Sequence, residues 1–122
     1  MVTIVHFDIP ADIPDRARNF YAALFGWKFT SPPGYPDFSL IETTGLEGHP
    51  GVGGGLGRRG EPGQDITVYF GVDSMERYLV LVKNEGGKVL MPYTPVPGYG
   101  ALAICTDTEG NRFGLWESAE GS

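Results

Sequence analysis

Apolar and polar positions alternate from the first residues: Val5, Phe7 and Ile9 share one side of a strand predicted over Val2–Ile9, and Ile4, His6 and Asp8 the other. After Pro10 the period changes. Ala17, Phe20, Tyr21 and Leu24 recur at helical spacing, with Asp12 as cap, Pro14 and Asp15 in the first turn and Gly26 as the stop. Three short strands follow around Trp27–Thr30, Asp37–Thr43 and Gly51–Leu56, divided by the turn-forming Pro32-Pro33-Gly34 and Glu47-Gly48-His49-Pro50. Beyond a connector over 58–64 the pattern restarts. Asp65–Val72 alternates, Ser74 caps a helix through Tyr78, Leu81 and Val82 to Gly86-Gly87, and Lys88–Met91, Tyr99–Thr106 and Asn111–Glu117 supply three more strands. Sliding the chain by 61 positions sets Ile9 on Phe70, Ala11 on Val72, Phe20 on Leu81 and Gly26 on Gly87. The prediction is one α+β domain over 1–118 built from two β-α-β-β-β modules, 1–57 and 65–118, forming paired half-barrels around a pocket, with a tail at 119–122.

A helix covering a sheet needs an apolar surface beneath it. Val5, Phe7 and Ile9, then Ile66, Val68 and Phe70, then Phe113 and Leu115, and also Val52 and Leu56, supply that surface. The opposite strand faces carry His6 and Asp8; Gly51, Gly53 and Gly55; Asp65, Thr67 and Tyr69; Arg112, Gly114 and Trp116. That mixture of polar, aromatic and missing side chains predicts a ligand-facing wall.

Composition narrows the function classes. A length of 122 residues suits one hydrophobic core, and 19 glycines with 10 prolines imply many tight turns and short strands. The net charge of -6, with Arg58-Arg59 the only paired arginines, offers no basic face for nucleic acid. The lone Cys105 excludes an internal disulfide, and no leader-like segment or membrane-length apolar run is present, so a soluble cytoplasmic protein is expected. A Gly-x-Gly-x-x-Gly match at Gly55, Gly57 and Gly60 is followed by Glu61-Pro62-Gly63 rather than a helix start, so it does not predict a phosphate cradle. No serine or cysteine has a second histidine nearby, which argues against a hydrolase triad.

Several segments together, His6, the run Phe20-Tyr21-Ala22-Ala23-Leu24-Phe25-Gly26-Trp27, the strand Gly53-Gly54-Gly55-Leu56, Glu85-Gly86-Gly87-Lys88-Val89 and Asp107-Thr108-Glu109-Gly110-Asn111, resemble the vicinal oxygen chelate superfamily of glyoxalases, bleomycin-resistance proteins and extradiol dioxygenases. The likeness covers nearly the whole chain and points to a small glyoxalase-like branch of poorly assigned function. Metal-dependent members draw one ligand from the first strand and one from the last strand of each module, and residue by residue those positions fall on His6, Gly53, Thr67 and Gly114. The spacing repeats, since 67 minus 6 and 114 minus 53 are both 61. Only His6 matches as a metal ligand, because glycine offers no donor and a neutral threonine is a poor one. No cofactor is therefore expected, although a divalent metal on another set drawn from Asp8, His49, Asp65 or Glu117 stays open. Glu117 is expected on the helix side of its strand, ending in solvent, and Trp27, Phe20 and Cys105 in the core.

Three functions follow. As a binding protein, the chain would hold a small molecule in the inter-module pocket with Phe38, Gly53, Thr67, Tyr69, Tyr99, Arg112, Gly114 and Trp116 as contacts. As a lyase- or isomerase-type enzyme on a small oxygenated metabolite, it would use His6 or Asp8 as base. The third reading, a dimeric structural module, has no positive feature. The resemblance implies a homodimer; neither nucleic acid nor membrane is an expected partner.

Overall fold

The computed structural model describes residues 1–119, with eight strands and two helices among them; the tail predicted at 119–122 lies, apart from Ala119, outside the described residues. The chain divides into two compact units, His6–Ile66 and Met1–Val5 together with the chain from Thr67 onward. Both carry the β-α-β-β-β order, and the first residues of the chain pack with the second unit.

In the first unit, β1 (Ile4–Ala11), β2 (Lys28–Thr30), β3 (Ser39–Glu42) and β4 (Gly53–Arg58) form a sheet in the order β2-β3-β4-β1. β1 and β4 run parallel and the other pairs antiparallel. Helix α1 (Pro14–Phe25) follows β1; Pro14, already held at helical φ, opens it, and Gly26 at φ 72° closes it by donating its N–H to the Ala22 carbonyl at 2.9 Å. Asp12 does not cap this helix as predicted. Ile13 holds the capping position without a side-chain bond, and the Asp12 carboxylate instead pairs with Arg59 at 2.9 Å.

The buried face of α1 also differs from the predicted stripe. Ala17 and Tyr21 pack on a core of Ile9, Ala11, Ile41 and Leu56, whereas Phe20 is 58% exposed and Leu24 is exposed as well. Successive helical residues are rotated by about 100°, so a core contact centred on Pro14, Ala17 and Tyr21 turns Phe20 outward. Tyr21 then stacks on Trp27 with ring centroids 5.1 Å apart.

In the second unit, β5 (Thr67–Gly71), β6 (Lys88–Val96), β7 (Gly100–Thr106) and β8 (Arg112–Ser118) form a sheet in the order β5-β8-β7-β6, covered by α2 (Met75–Asn84). Ser74 caps α2 by accepting from the Arg77 N–H, as predicted. Met75, Val72, Ala103, Cys105 and Leu115 form the core, with Tyr78, Leu79 and Val82 packed on it from the helix; Leu81 sits at the exposed edge instead. β6 is longer than the predicted Lys88–Met91 and runs through Pro92 and Pro95. Within this unit it pairs with β7 alone, through two register shifts, and such an irregular edge tolerates the missing proline N–H groups.

Candidate functional site

The period-two alternation of β1 puts His6 and Asp8 on one face, away from Ile9 and Ala11 in the core. His6 Nε2 lies 2.8 Å from Asp8 Oδ1, and the two side chains are 33% and 38% exposed. The parallel register sets Gly53 beside His6 and Gly55 beside Asp8, so β4 presents backbone where a neighbouring strand would present side chains. That space is filled in part by Phe38: a Cβ on Gly55 would stand 2.7 Å from the tip of its ring and one on Gly57 3.2 Å from its edge. The Asp8 carboxylate would lie 2.9 Å from the same Gly55 Cβ. Phe38, Asp8 and His6 thus surround a glycine floor, while Gly54 on the opposite face makes room for Phe7.

The second unit uses the device differently. Tyr69 stands beside Gly114, and a Cβ there would fall 2.2 Å from the Tyr69 ring. Both Tyr69 and Thr67 are buried. The ladder register differs between the units. His6 pairs with Gly53, 47 residues on, whereas Tyr69 pairs with Gly114, 45 residues on. The predicted position Gly114 thus stands beside Tyr69 rather than beside Thr67.

The remaining predicted residues lie on several elements. Trp116 is half-buried beside Gly71 and Leu102, Arg112 is exposed at the start of β8, and Tyr99 is exposed in the β6–β7 turn, where its carbonyl accepts from the Ala119 N–H. His49 sits on an exposed turn and Asp65 is exposed ahead of β5. Glu117 does not end in solvent: it is half-buried, and its carboxylate accepts the Met75 N–H at 2.7 Å at the first turn of α2. Cys105 is fully buried, which pushes its thiol pKa up.

The donor set does not suit the superfamily's divalent ion. Among the described residues no three His, Cys, Asp or Glu side chains are gathered. His6 has Gly53 as its ladder neighbour and is engaged by Asp8, and the positions predicted as their counterparts in the second unit, Thr67 and Gly114, offer a neutral hydroxyl and no side chain. What the first unit can do is orient an imidazole against a carboxylate beside an aromatic ring.

Sequence reasoning named His6, Asp8 and Phe38 but missed what the glycines accommodate. The aromatic rings that fill them come from neighbouring strands or, for Phe38, from the residue just ahead of β3, and only the tertiary structure reveals the match.

Comparison with known proteins accords with this architecture. Residues 3–44 match the family model described as bleomycin resistance protein-like N-terminal. A glyoxylase-like domain-containing protein of Didymella fabae is 32% identical over 112 residues, covering 88% of each chain. The chain belongs to the glyoxalase-like family. Within the same superfamily, the candidate glyoxylase CFP32 of Mycobacterium tuberculosis is 25% identical over 91% of this glyoxalase-like chain, which spans only 44% of the relative's own length. A solved methylmalonyl-CoA epimerase, in complex with methylmalonyl-CoA and NH4+, shares the fold of the glyoxalase-like chain with a TM-score of 0.71 at 15% identity, over all of this chain and 98% of that one. Among the described residues no helix is long and apolar enough to cross a membrane.

Proposed function

We propose that this glyoxalase-like protein binds a small molecule on the strand face that carries His6 and Asp8, without the divalent metal its superfamily commonly uses. The observation that supports this most is the His6–Asp8 pair, 2.8 Å apart and half-exposed beside the Phe38 ring and the glycine floor of β4. A polar pair next to an aromatic wall suits a flat, oxygenated ligand: the ring contributes apolar contact and the pair contributes direction. Names of bleomycin-resistance type among the matches fit a binding role of this kind.

A specific contact also favours an enzymatic reading. Asp8 holds the His6 ring in one orientation, which is what a general base needs when it takes a proton from a substrate carbon or hydroxyl. A lyase or isomerase acting on a small oxygenated metabolite would use His6 in that way, and the epimerase among the structural neighbours is compatible with it. In both readings the protein acts in the cytoplasm as a homodimer.

Thermal-shift screening with small oxygenated metabolites and glycopeptide-like drugs tests the binding reading. A ligand at about 100 times its dissociation constant adds roughly 2.7 kcal/mol of stability, and His6→Ala should abolish the shift. Elemental analysis of protein purified without chelator tests the metal-free part. Stoichiometric metal that disappears in His6→Ala would overturn it. Sedimentation at micromolar concentration tests the dimer.

A further inference from the structure

The second unit contains a cavity of about 420 Å³ on the helix side of its sheet, between the C-terminal half of α2 and the strands beneath. Its floor is apolar, formed by Phe70, Val72, Val82, Phe113 and Leu115. This volume is within the range of small-molecule sites, roughly 300–1,000 Å³. The mouth is different. Glu85 and Asp107 are the only ionisable carboxylates among the lining residues, and no lysine or arginine lines the cavity. Asp107 accepts the Glu109 and Asn111 backbone N–H groups and the Asn111 amide, and these bonds hold its carboxyl below the usual carboxylate range. Glu85 ends α2, where the helix dipole is negative; Lys83 on the last turn does not line the cavity.

We propose that this cavity binds an amphiphilic amine, a small molecule with an apolar tail of several carbons seated on the Phe70–Phe113–Leu115 floor and a protonated amine at the Glu85–Asp107 mouth. The tail would remove apolar surface from water, and the carboxylates would select the sign of the head group. This site lies within the second unit alone and shares no residue with the His6 face, so it stands or falls independently of the binding reading above.

The test is a matched series of octylamine, octanol and octanoate, titrated into the full chain below their solubility limits and followed by calorimetry and amide chemical-shift mapping. Octylammonium should bind saturably, with octanol weaker by about fivefold or more, as expected for a partly exposed ion pair, and octanoate weakest. The shifted amides should cluster on Val82, Gly87 and Phe113. Glu85→Gln should bring octylammonium towards the octanol affinity. Leu81→Trp, at an exposed edge of the cavity, should block all three, whereas His6→Ala should leave the series unchanged. Octanoate binding as tightly as octylammonium, the absence of saturable binding, or shifts centred on Phe38 and His6 would each overturn the proposal.

Discussion

The two units place an aromatic ring over glycine on the strand face away from the helix, but the rings come from different places in the chain and leave different amounts of room. In the first, Phe38, reached from the segment leading into β3, stands over two glycines, its tip 2.7 Å from where a Cβ on Gly55 would be and its Cδ1 3.2 Å from one on Gly57. In the second, Tyr69 lies against Gly114 from the adjacent position on the paired strand, and the ring carbon nearest its own backbone is 2.8 Å from where a Cβ would be. Phe38 is only half-buried and can yield towards solvent, whereas Tyr69 is buried. Glycine therefore marks an adaptable wall in one unit and a locked one in the other. The half-exposed His6–Asp8 pair stands on the first of these faces, and the buried Thr67 shares the second with Tyr69.

Alanine at the two glycines is the sharpest way to break the comparison. Gly114→Ala should cost about 2–3 kcal/mol, since the buried Tyr69 ring has nowhere to go, and should lower the melting temperature by on the order of 10 °C. Equal losses for Gly114→Ala and Gly55→Ala would end the distinction. At the helix side, Glu117→Ala should cost about 1 kcal/mol in urea denaturation by removing the acceptor for the Met75 N–H, with Glu117→Gln recovering part of it. No counterpart exists at α1, whose capping residue Ile13 makes no side-chain bond. Gly55→Ala should cost less than about 1 kcal/mol, because the tip of Phe38 can yield, while changing ligand affinity on the His6 face more than stability.

The smallest effect concerns the Asp107 turn. Hydrogen bonds lower its folded pKa, so its contribution is present above the unfolded carboxylate value of about 3.9 and is lost as the pH falls through the lower folded value. Asp107→Asn should therefore be less stable than the natural chain at neutral pH, and the two should converge below about pH 4 in thermal scans. A gap that persists into acid would show that geometry, not charge, carries the turn.

Alternation and helix punctuation were legible in single stretches of chain. The Gly26 stop, the Ser74 cap and the apolar set Phe70, Phe113 and Leu115 all follow from neighbours within a few residues. His6 and Asp8 share a face for the same reason, because two residues along a strand return to the same side. The outward turn of Phe20 was not legible, since a helical stripe wide enough for four apolar residues does not say which of them the sheet will cover. Nor was the half-burial of Glu117, whose partner Met75 lies 42 residues away.

What the sequence determined by itself is the duplicated order of elements and the residue types on each strand face, because period and turn chemistry are local. Only the tertiary structure decided the register, which sets Gly53 beside His6 and Gly114 beside Tyr69. Strand pairing joins residues 47 apart in one unit and 45 apart in the other, and no local pattern encodes that two-residue difference. It is settled by how rings, glycines and helices pack when the strands meet.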